Sequence, residues 1–82
     1  EHMQIKTLNV QASHPMTIFL NGKLSGQNRS EAQFHIDSDP TELEVVHEVH
    51  GKIKETVEFK DAKGLRIYVD WSTKTLTHKS KD

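Results

Sequence analysis

The side chains of this chain that could do chemistry are mainly histidines and carboxylates. His14, His35, His47, His50 and His78 all lie beyond the first few residues. The closest spacing is His47-Glu48-Val49-His50, which would suit a metal ion only if both imidazoles shared a face. On a strand, side chains three apart point to opposite faces. A zinc site needs three or four ligands within about 2.1 Å of the ion. The strand register derived below sets His47 beside Glu55, but no third ligand joins them, so neither a metal nor another cofactor is expected. Ser13 and His14 are sequence neighbours, which does not give the geometry of a nucleophile and its base. Gly-x-Ser-x-Gly and phosphate-cradling glycine loops are absent. Asp37 and Asp39 precede Pro40 and read as turn formers. Asn28-Arg29-Ser30 has the form of a glycosylation acceptor and reads as a polar loop. The expectation is a protein that is not an enzyme.

What must position these residues is a small domain. The chain has 82 residues, 33% of them apolar and 28% charged, with a net charge of −1. That length holds one core. The charge balance argues against a nucleic-acid partner. Without an apolar run of ~18 residues, membrane insertion is not expected. Cysteine is absent, which removes disulfides, thiolate metal sites and thiol nucleophiles. Glu1-His2 read as a cloning remnant ahead of Met3, and Ser80-Lys81-Asp82 as a frayed tail. A single β domain over 4–79 is left.

Val, Ile and Thr make up eighteen residues, in short alternating runs, the pattern of half-buried strands. The runs predict strands near 4–12, 16–20, 23–27, 32–36, 41–49, 53–59, 65–71 and 74–79. The fold class expected is all-β: a compact antiparallel sandwich or partly open barrel of about seven or eight short strands.

Leu20-Asn21-Gly22-Lys23 predicts a type I′ hairpin, because Asn-Gly accepts positive φ at both central positions. It sets Phe19 opposite Leu24, with Met16, Ile18 and Leu20 on the other face. Further on, Leu43, Val45, His47 and Val49 form one stripe and Ile53, Glu55, Val57 and Phe59 another. If the stripes face each other, His50-Gly51-Lys52 is the connection and the pairs are Val49–Ile53, His47–Glu55, Val45–Val57 and Leu43–Phe59. A turn ending at Gly64 would then pair Val57 with Ile67. A turn at Ser72-Thr73 would pair Val69 with Leu76 and Ile67 with His78. The outcome is a four-stranded antiparallel meander over 41–79, with Glu48–Lys54 and Glu58–Arg66 on its outer face. Residues 4–36 cover its apolar face. Trp71 is expected in the core, and His47–Glu55 as a structural polar pair.

The stretch from Leu8 to Gly26, with Ser13-His14-Pro15 breaking two strands and Asn21-Gly22-Lys23 ending the second, resembles the opening of PEGA-type β-sandwich modules. The Pro-Glu-Gly-Ala tetrapeptide that names those modules is absent. The resemblance implies a small non-catalytic module of bacterial envelope or surface proteins. From the residues themselves, three functions are open. One is an interaction or surface-display module within a larger protein or assembly, with a protein partner. Another is a free-standing regulator or inhibitor, of phage or mobile-element type, that occludes a target. The third is carbohydrate binding, which needs exposed aromatic platforms. Phe19, Leu24 and Tyr68 are the candidate contact residues, and an exposed Phe19–Leu24 spot would also serve self-association.

Overall fold

The computed structural model describes residues 5–81. Glu1 and His2, set aside above, lie outside the described residues, as do Gln4 at the start of the first expected strand and Asp82. The chain is all-β. Its six strands are β1 (Lys6–Leu20), β2 (Lys23–Ile36), β3 (Thr41–His47), β4 (Gly51–Val57), β5 (Gly64–Asp70) and β6 (Thr75–Lys81). They form one curled mixed sheet, a half-barrel, in the order β4-β3-β1-β5-β6, with β2 paired to β1. Six long strands replace the expected seven or eight because two pairs of short runs fuse. The runs at 4–12 and 16–20 join in β1, and those at 23–27 and 32–36 join in β2.

β1 is the organising element. At about 3.3 Å per residue its fifteen residues would span roughly 50 Å if straight, longer than the molecule's 44 Å long axis. The strand bends at Ser13-His14-Pro15, which are all exposed or half-exposed. Pro15 has no N–H for the ladder. The β1–β2 register breaks at that point, between Gln11↔Glu31 and Met16↔Arg29. Leu8 and Val10 before the bend and Met16 and Ile18 after it are all buried. One strand therefore lines the core twice. Its first half pairs in parallel with β5, from Thr7↔Gly64 to Ala12↔Val69. Its second half pairs antiparallel with β3, from Thr17↔Val46 to Leu20↔Leu43.

This arrangement overturns the predicted meander. β4 and β5 are not neighbours, because β3 and β1 lie between them in the sheet. The apolar stripe of β5 gains more beside β1, where Leu8 meets Leu65 and Val10 meets Ile67. The 58–63 segment is an arm that crosses the molecule, not a hairpin turn. Lys60 (φ 50°) and Asp61 (φ 70°) hold left-handed conformations in it, whereas Gly64, where the expected turn ended, starts β5. The arm is pinned by Thr7 N–H to Lys63 O (3.1 Å), Phe59 N–H to Asp39 Oδ1 (3.1 Å) and Lys6 Nζ to Ala62 O (2.8 Å).

The β3–β4 register also differs. Val45 pairs with Ile53, Leu43 with Glu55, Thr41 with Val57 and His47 with Gly51. Each stripe still faces the other, because the slip moves the partner by an even number of residues. The turn is Glu48-Val49-His50, followed by Gly51 at φ 97°. His47 Nδ1 accepts the backbone N–H groups of Val49 (3.1 Å) and His50 (3.2 Å), which leaves Val49 79% exposed. Two satisfied amides hold the turn where burial of Val49 alone would have moved it. The outer-face charges pair accordingly, Lys52 with Glu44 and Lys54 with Glu42. The Glu48–Lys54 and Glu58–Arg66 partnerships do not form.

Two hairpins are as the residues predict. Asn21 (φ 52°) and Gly22 (φ 81°) make the β1–β2 turn and set Phe19 opposite Leu24. β5 and β6 pair Val69 with Leu76 and Ile67 with His78. Asp70 Oδ1 accepts from the backbone N–H and the hydroxyl of Ser72, and these bonds hold its carboxyl below the ordinary range. β6 continues through Ser80 and Lys81, which pair with Leu65 and Gly64, so these two residues, expected to fray, are part of the sheet.

Candidate functional site

The turn after β3, the bend in β1 and the turn after β5 meet at one end of the molecule. They bring together three histidines and a tryptophan. The ring centroids of His47 and His50 are 4.7 Å apart, those of His14 and His50 5.3 Å, and those of His14 and His47 5.6 Å. Beneath them lies Trp71, buried as expected, 5.7 Å from His47 and 6.1 Å from His50. Val49, on the same turn as His50, points to solvent. Lys74 closes the group: a Cβ on Gly51 would stand 3.2 Å from its Nζ. The spacing His47-x-x-His50 was read along one strand, where the rings would diverge. Because the chain turns between them, they converge.

The cluster is not a built metal site. Nδ1 of His47 accepts two backbone N–H groups, so the ring proton of the neutral imidazole sits on Nε2. That leaves His14 and His50, fewer than the three or four ligands of a zinc site. Among the described residues no group of three ligating side chains could hold an ion.

The charges acting on His50 are all of one sign. Its pKa is lowered by partial burial first, and then by His47, His14 and Lys74. A histidine whose folded pKa lies below its unfolded value, about 6.5, binds fewer protons when folded. Its contribution to stability is complete above pH 6.5 and is lost as the pH falls through the folded value. The melting temperature is therefore expected to drop between pH 7.5 and pH 5, and to drop less in His50→Gln. An equal drop in parent and variant would remove the cluster as the source.

Beside His47 a groove of about 450 Å³ opens between the bend and β2, lined by Pro15, Met16, Thr17, Gln27, Asn28 and Glu48 among others. Its walls come from β1, β2 and the end of β3, and its polar side chains are those of Thr17, Gln27, Asn28, His47 and Glu48.

The expected polar pair of His47 with Glu55 does not form. Glu55 lies opposite Leu43, and its Oε1 accepts from Nε2 of His78 on β6 at 2.5 Å. β4 and β6 are the two ends of the sheet order, so this bond ties the half-barrel's open sides together. Of the candidate contact residues, Leu24 is 52% and Tyr68 44% exposed, while Phe19 is half-buried. Tyr68 stands on the outer face between Gln11 and Thr77, far in the sheet from the Phe19–Leu24 pair. These three side chains thus form no common surface.

The longest open feature is the outer side of β2. Among the described residues its strand neighbour is β1 alone. Its fourteen residues contain no proline. No protein-family model, no curated protein and no solved structure matches the chain.

Proposed function

We propose that the chain is a non-catalytic interaction module that takes a partner strand along the outer edge of β2. The observation that carries this reading is the edge itself. It presents a row of main-chain N–H and C=O groups beyond β1, the template for strand addition. Over 29–36 neither Pro nor Lys occurs, and the charged side chains on the edge are Arg29 and Glu31. The resemblance of residues 8–26 to PEGA-type modules agrees with such a role. A carbohydrate platform is less well supported, because Trp71 is buried and leaves Tyr68 as a single exposed ring.

Photo-crosslinking in the native host tests the reading. A benzophenone amino acid replaces the exposed His35 on β2, or Lys79 on β6 as control. Discrete adducts are expected from position 35 and not from position 79. The same adducts from both positions, or none from either, would overturn it.

A further inference from the structure

We propose that the strand received by β2 is a second copy of this chain, paired antiparallel over residues 29–37 about a two-fold axis at Gln33. The proposal rests on the reading of β2 as a docking edge and names its occupant.

The backbone sets the segment. From Lys6↔Ile36 to Gln11↔Glu31 the β1–β2 register is unbroken. Toward the hairpin it shifts, and Asn28 takes a positive φ of 55°. The first shift lies between Glu31 and Arg29, two positions on β2 against five on β1 (Gln11 to Met16), so the extra residues belong to β1 and the β2 edge runs on without an inserted residue from Arg29 to Ile36.

The side chains set the register. In an isologous pair, positions equally far on either side of the axis face each other. With the axis at Gln33, Arg29 faces Asp37 and Glu31 faces His35, each twice. All of these residues are exposed; Arg29, Glu31 and His35 lie on one face of β2, and Asp37 follows directly after its last residue. Glu31 Oε2 already accepts from Gln11 Nε2 (2.9 Å), so Oε1 is the oxygen directed to the partner's imidazole. On the other face the half-buried Phe34 lies across the small Ala32 of the second copy. Neighbouring registers fail on charge. An axis at Phe34 would set Glu31 against Asp37, and an axis at Ala32 would set Arg29 against a histidine and Glu31 against Gln33, with no opposite charges paired. Like charges directly opposite are unfavourable, so the pattern selects one pairing among those the segment allows.

A single strand pair buries less than the roughly 1,200 Å² of a stable complex. The expected state is a reversible dimer that fills as concentration rises from micromolar toward millimolar. Sedimentation equilibrium of the full chain reads it. Arg29→Asp places a carboxylate opposite Asp37 in both halves and is expected to weaken the dimer about tenfold or more, equivalent to about 1.4 kcal/mol. Arg29→Asp combined with Asp37→Arg restores opposite charges and is expected to restore the dimer. Leu24→Ser, at the far end of β2, is expected to leave it unchanged. Both charged positions are exposed, and circular dichroism verifies that the variants stay folded. A dimer insensitive to Arg29→Asp, or one lost in Leu24→Ser, would place association elsewhere and overturn the proposal. A chain that stays monomeric overturns it too. In that case adducts from position 35 to a different protein would still uphold the docking edge, whereas absent adducts would remove both.

Discussion

Trp71→Ala is expected to destabilise the domain by about 3–5 kcal/mol, the range for large aromatics removed from cores. Trp71 is 2% exposed although it sits in the turn after β5 rather than within a strand. It plugs the end of the half-barrel under His47 and His50. Its Nε1 is buried without a hydrogen-bond partner, a cost that the alanine variant no longer carries. The measured loss should therefore fall toward the lower end of the range. Trp71→Phe keeps most of the ring packing and drops the orphaned N–H, so it should cost about 1 kcal/mol or less, within the span of conservative core swaps. Urea melts followed by circular dichroism give both values without relying on the lost fluorophore. Domains of this kind have about 5–15 kcal/mol in total, so the alanine variant should melt at a visibly lower temperature. If it melts within a few degrees of the parent, the turn does not close the core.

Phe59→Ala should have a comparable effect, about 3–5 kcal/mol, for a different reason. Phe59 is 1% exposed and lies outside every strand, on the arm between β4 and β5. Its ring has Lys6 Nζ 5.9 Å from its centroid, and its N–H donates to Asp39. The arm has to cross from one hairpin to the other, and it carries two non-glycine residues in left-handed conformations. Burial of Phe59 is the main apolar contribution that offsets that cost. Asp39→Ala removes one backbone partner and should cost about 1–3 kcal/mol, the penalty of an amide left unsatisfied. A loss well below about 1 kcal/mol for Phe59→Ala would mean that the segment is a surface turn, as a β4–β5 hairpin would require.

The two substitutions separate what local sequence determines from what it does not. Residue alternation assigns faces. It correctly marks Leu43, Val45, Ile67 and Val69 as core, because a strand's period of two depends only on backbone geometry. Asn21-Gly22 determines its own turn and pairing, since the required φ values are intrinsic to those residues. The absence of cysteine and the near-neutral charge likewise limit the chemistry before any fold is known.

Which strand lies beside which is another matter. An even slip between β3 and β4 keeps every side chain on its face, so the stripes alone cannot discriminate between registers. The choice falls to the bonds from Val49 and His50 to His47, which exist only once the turn has closed. The parallel pairing of β1 with β5 joins residues some fifty-seven positions apart, as Leu8 and Leu65 show. No turn residue encodes it. It is decided by how much apolar surface β1 can bury on both sides of its bend, a property of the whole packed core. The histidine cluster and the Glu55–His78 bond follow from these same long-range choices. Local backbone preference therefore determined the class of fold, its faces and two of its hairpins. Tertiary packing decided the order of the strands and, with it, which reactive side chains meet.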